Sequence, residues 1–68
     1  MKNTIRVERA ILDITQEALA KRVNVSRQTI NTIEAGKYVP STVLALKIAS
    51  TFSKPVEQIF SLEDSDWK

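Results

Sequence analysis

Sixty-eight residues make one domain, residues 1–68, well below the usual size of ~100–150 residues. The 43% apolar content is enough for one small core; with no Cys, no His and a single glycine, Gly36, the chain excludes a disulfide framework, a thiolate metal site, a Ser-His-Asp triad and a Gly-rich phosphate loop. Residues 1–56 carry nine basic and four acidic side chains, a net +5, and residues 57–68 carry four acidic and one basic, a net −3, so a basic body, which suits either an ordinary solvated surface or a polyanionic partner, precedes an acidic tail.

In chain order, residues Lys2 to Ile5 read as extended or as the start of a helix, and Arg6 to Leu12 as a short helix with Val7, Ala10 and Ile11 inward. Thr15 can cap Gln16 to Val23, and Glu17 favours that helix N-terminus electrostatically. Leu19, Ala20 and Val23 form its apolar face, and Asn24 breaks the pattern with a residue that tolerates positive φ. Ser26 opens Arg27 to Ala35, where Ile30 and Ile33 share one face, and Gly36 stands where helices commonly end in a left-handed residue. Ser41 caps a third segment, Thr42 to Phe52, with Leu44, Ala45, Ile48, Ala49 and Phe52 at helical spacing. Pro55 starts a last short helix through Phe60. Residues Ile59 to Leu62 alternate enough to pair, as a short β ribbon, with the N-terminal residues, and residues 63–68 read as a frayed tail. The longest apolar run, Val43 to Leu46, is far short of the ~20 residues of a membrane span, and residues 1–6 lack a secretory stretch. A cytoplasmic protein with no membrane partner is the expectation.

The informative segment is about 16–35, two short helices separated by a tight turn. Small Ala20 allows close approach of the second helix, and Leu19, Val23, Val25, Ile30 and Ile33 fill the wedge, which is the arrangement of a helix-turn-helix. The second helix turns Arg27, Gln28, Asn31 and Thr32 outward, with Thr29 nearby, and no acidic residue interrupts them. Arg can donate two bonds to guanine, Gln or Asn can pair with adenine, and a helix fits the ~12 Å major groove. Gln16 stands where side chain and backbone N–H can meet a phosphate. Lys37 and Tyr38 follow the second helix and can reach the backbone, Tyr38 serving equally well as a cover for the core. Ser26 and Ser41 can each cap a helix and touch phosphate.

The stretches Ile14 to Ala20, Val25 to Glu34 and Gly36 to Ser41, continuing through Leu44 to Ala49 and Pro55 to Phe60, resemble the lambda-repressor/Cro-type, or XRE-like, helix-turn-helix family. The resemblance covers nearly the whole chain and is greatest to very small members such as the cytolysin-operon repressor. It implies an all-α, five-helix DNA-binding domain, a phosphate contact from Gln16, and base contacts from Arg27, Gln28 and Thr32. It also implies a largely buried Arg9–Glu34 ion pair, a β pairing of the termini and a homodimer. The chain departs from the pattern in having Asn24 for the commoner turn glycine. It also places Glu8 at a usually apolar position and Ile11 and Leu12 at usually polar ones, so that helix 1 begins later or is rotated.

The sequence points to a sequence-specific, double-stranded DNA-binding transcriptional regulator, a repressor at a palindromic operator, working as a homodimer through Val56, Ile59, Phe60 and Leu62, some of which also close the core of the single chain. Trp67 either packs across that dimer or faces solvent. The alternative is a protein-interaction module of the same fold, an antitoxin or bridging factor. No catalytic group, metal ligand set, cofactor or small-molecule ligand is indicated.

Overall fold

Three hydroxyl side chains start the three central helices. Thr15 accepts from the Ala18 N–H at 3.0 Å, Ser26 from Thr29 at 3.1 Å and Ser41 from Leu44 at 3.2 Å. Each such cap stabilises its helix by about 1 kcal/mol. The computed structural model describes residues 1–68 and gives the order β1 (Lys2–Asn3), α1 (Ile5–Leu12), α2 (Gln16–Val23), α3 (Arg27–Glu34), α4 (Thr42–Thr51), α5 (Val56–Ile59) and β2 (Phe60–Ser61). A turn of 3-10 helix follows at Asp64–Trp67. No helix is long and apolar enough to cross a membrane.

Helix ends are as local as their beginnings. Asn24 has φ 60°, and the N–H of Val25 returns to the Ala20 carbonyl, closing α2 in a left-handed turn without glycine. Gly36, with φ 75°, lets the Lys37 N–H reach the Thr32 carbonyl and end α3. Asp13 and Ser53 adopt the same conformation after α1 and α4.

Six large side chains, Ile5, Leu19, Ile30, Ile33, Ile48 and Ile59, are fully enclosed and each contributes about 1.5–3 kcal/mol. Ala20, Val23, Leu44, Ala49, Phe52 and Phe60 complete the core, with Val25 packed at its edge. The wedge between α2 and α3 is therefore filled by the residues its spacing named. The termini pair as expected: β1 and β2 are antiparallel, with Lys2 opposite Ser61 and Asn3 opposite Phe60.

Three expectations are corrected. Helix α1 buries Ile5 and Glu8, whereas Val7 and Ile11 are 59% and 67% exposed and Ala10 faces solvent too. The rotation suggested by the family pattern holds, and the reason is Lys54, whose Nζ meets Glu8 Oε2 at 2.7 Å so that a carboxylate can lie inward. Ile59 and Phe60, assigned to a subunit interface, are 1% and 7% exposed and close the core of the single chain; Val56 is half-buried and Leu62 exposed. Residues 63–68 are not frayed. The Glu63 N–H donates to Asp66 Oδ2 at 2.8 Å, and the Met1 ammonium lies 3.0 Å from Asp66 and 3.2 Å from Glu63. Those bonds, from Asp66 first and then Glu63, raise the Met1 amine above its ordinary value. The Glu63 N–H first, and then the ammonium, hold the Asp66 carboxyl below its own. Trp67 faces solvent.

Candidate nucleic-acid interface

Helix α3 is held from behind by Ile30 and Ile33, both enclosed. With a period of 3.6 residues, that anchorage forces Arg27, Gln28 and Asn31 outward, and all three are exposed. Thr29 and Thr32 are half-buried at the edges of this face. The Thr32 hydroxyl donates to the Gln28 and Thr29 carbonyls, both at 3.0 Å, so its proton stays with the helix and its methyl and lone pair remain for a partner. Thr29 Oγ1 lies 2.9 Å from Ser26 Oγ, which ties the first turn together. No acidic side chain lies in that turn.

Behind α3 stands the ion pair. Arg9 Nε donates to Glu34 Oε2 at 2.6 Å and Nη2 to Oε1 at 3.0 Å, a two-pronged bond around a carboxylate whose side chain is 1% exposed. Glu34 raises the Arg9 guanidinium above its already high value through that hydrogen bond, so the arginine stays charged. Arg9 Nη1 also donates to the Ile14 carbonyl at 3.0 Å, which fastens the chain just before α2. Asn3 Nδ2 donates to the Ile33 carbonyl at 2.9 Å, fastening β1 to the end of α3.

Gln16 joins the same network. Its Nε2 donates to Glu34 Oε1 at 3.2 Å and to Asn31 Oδ1 at 3.3 Å. Both amide protons are thus spent inside the protein, and the side chain has only its oxygen to offer. A phosphate needs donors, so the part of Gln16 left for it is the backbone N–H at the start of α2, which has no partner in the chain. Arg6 adds a cation at this place: its Nε lies 3.8 Å from the same Glu34 oxygen while its side chain is 79% exposed. Nothing local in the sequence marks Arg6, because only folding brings it to the Glu34 oxygen that Gln16 also meets. Lys37 and Tyr38 are exposed in the loop after α3, and Ser41, also exposed, has its oxygen engaged as the α4 cap.

Comparison with known proteins agrees with this geometry. A helix-turn-helix family model matches residues 5–59. A Methanocaldococcus jannaschii protein named as an uncharacterized HTH-type transcriptional regulator is 53% identical over 66 residues, spanning 97% of this chain and all of that one. The Bacillus subtilis regulator YgzD is 47% identical over 66 residues, 97% of this chain and all of its own length. An Archaeoglobus fulgidus regulator is 47% identical over 66 residues, covering 97% of this chain and 93% of its own. With its matched span, its five helices and its polar outward α3, the chain belongs to the XRE-type helix-turn-helix family of DNA-binding transcriptional regulators.

Proposed function

We propose that the protein is a cytoplasmic repressor that occupies a palindromic operator as a homodimer, with α3 of each copy in the major groove. The observation that carries this reading is the face formed by Arg27, Gln28 and Asn31, exposed and free of carboxylates on a helix fixed by two buried isoleucines. Arg27 and Gln28 supply base contacts, with the Thr32 methyl suited to thymine. Phosphate is gripped by the α2 N-terminus at Gln16, by Arg6, and by Lys37, Tyr38 and Ser41 flanking α3, with Ser26 and Thr29 at its first turn. One such module covers only ~600–1,000 Å² of DNA, so a two-fold pair reading half-sites ~34 Å apart supplies the affinity and the discrimination. The second copy docks beside α5: Val56 and the edge of Phe60 line an apolar cleft of about 330 Å³ with Met1, Pro40, Ala45 and Leu46, and exposed Leu62 lies just beyond β2.

The test is selection of bound sequences from a random duplex pool, followed by stoichiometry on the winner. A palindrome bound by two chains is the expected result. Joint replacement of Arg27, Gln28 and Thr32 by Ala should abolish preference at the base positions those side chains contact; a base preference identical to the native protein's overturns the assignment of the face. No binding to any duplex at low salt favours the protein-interaction module instead.

A further inference from the structure

The hydrogen bonds behind α3 run in one direction. Arg9 is a cation, so Glu34 beside it is a carboxylate and accepts only. Gln16, 3.2 Å from that carboxylate, must therefore turn its NH₂ group and not its oxygen toward it. The same NH₂ carries a second proton, and the acceptor at 3.3 Å is Asn31 Oδ1. The Asn31 carboxamide is oriented in turn: its oxygen faces Gln16, and its own NH₂ has no partner in the protein and sits on the exposed readout face. A charge in the interior thus sets which end of a surface amide is presented, through two intervening side chains.

We propose that Asn31 reads DNA as a hydrogen-bond donor and that Gln16 is the residue that positions it so. The proposal rests on the base-reading assignment of α3. An asparagine free to turn pairs with adenine through both ends of its amide, accepting from N6 and donating to N7. Here the oxygen is engaged by Gln16, and the group left outward is a pair of N–H donors. The matching edges are guanine, with two acceptors at O6 and N7, and thymine, with O4; adenine offers one acceptor, N7, but sets its N6 donor against the same outward NH₂ group. Asn31 therefore selects a keto base and disfavours adenine.

The experiment is sequence selection from a random duplex pool with three proteins: native, Asn31→Ala and Gln16→Met. Asn31→Ala identifies the base position that depends on Asn31, because preference there collapses while the others stay. At that position the native protein should favour guanine or thymine over adenine by at least about fivefold. Gln16→Met keeps the backbone N–H of α2 but releases the Asn31 oxygen, so adenine should become acceptable at that position alone. A purely structural or phosphate-binding Gln16 would instead weaken every sequence evenly. Adenine preferred by the native protein, no position dependent on Asn31, or an unchanged preference in Gln16→Met overturns the proposal. Native protein that selects no sequence at all overturns the base-reading assignment and this proposal with it. Side-chain amide proton exchange in the native protein without DNA gives a measurement that needs no variant. The Gln16 NH₂ should exchange more slowly than the Asn31 NH₂, and the reverse order overturns the proposed direction.

Discussion

Arg9 and Glu34 show how one buried pair can matter more for what its loss leaves behind than for its own net worth. Glu34 is enclosed; Arg9 meets it at 2.6 Å, whereas the largely solvent-exposed Arg6 comes no nearer than 3.8 Å. Arg9→Met should therefore cost about 3–5 kcal/mol in urea unfolding, because it strands a buried carboxylate. Arg9→Lys keeps the charge but loses the two-pronged geometry and should fall between that variant and the native chain. On the outer face of α3 the expectation is different in kind. Gln28→Ala should lower affinity for the best site by ~1–3 kcal/mol and relax one or two base positions, with folding stability unchanged. Lys37→Ala should weaken binding about equally on every duplex and reduce the slope of log affinity against log salt by ~1. These three readouts, unfolding, base preference and salt slope, separate residues that build the face from residues that use it.

The elements divide by how far apart the groups that define them lie in sequence. Helices α2, α3 and α4 were legible because each carries its own instructions: a hydroxyl cap three residues before the N–H it receives, and apolar residues at helical spacing. The left-handed turn at Asn24 and the stop at Gly36 are equally local. Helix α1 was not legible in this way. Val7, Ala10 and Ile11 are spaced as well for burial as Ile5 and Glu8, and the choice is made by Lys54, 46 residues away from Glu8. The face of α3 was legible as a list of side chains, but the orientation of its amides was not, since Gln16 and Asn31 meet only after folding. The α1 register can be checked directly. Ile5→Ala should destabilise the fold by about 2–5 kcal/mol, whereas Ile11→Lys should stay within about 0.5 kcal/mol. Comparable losses at both positions would contradict a helix that turns Ile5 inward and Ile11 outward.

At the scale of the whole molecule, the two ends of the chain are joined by charge as well as by strand pairing. The Met1 ammonium is raised by its bonds to Asp66 and Glu63, so its contribution is complete below the ordinary amine value of 8.0 and is lost as pH rises through the raised one. Asp66 is depressed, chiefly by the Glu63 N–H, so its contribution is present above the ordinary carboxyl value of 3.8 and is lost as pH falls through the lowered one. Between those limits the 3-10 turn should stay docked. Trp67 sits in that turn, and its fluorescence anisotropy should be flat across neutral pH and fall at both extremes. Asp66→Asn removes that carboxylate, so the anisotropy should already be lowered at neutral pH and should show no acid-side step from this position. The acidic segment is thereby kept against the N-terminus and is not left free to compete with phosphate for the basic body.

The stitch between β1 and β2 also bears on biosynthesis. Residues 2 and 3 are polymerised almost sixty residues ahead of their partners at 60 and 61. Ile5 likewise shares its core with Ile59, and the Thr4 N–H bonds to the Ile59 carbonyl at 2.9 Å. The nascent chain can wind α2 and α3 early from their own caps and tie Arg9 to Glu34, but Ile5 is not enclosed until the last helix arrives. Completion of the core therefore waits for synthesis of residues 59–61, and a translation stall before residue 59 yields a product that quality-control proteases will see as unfinished.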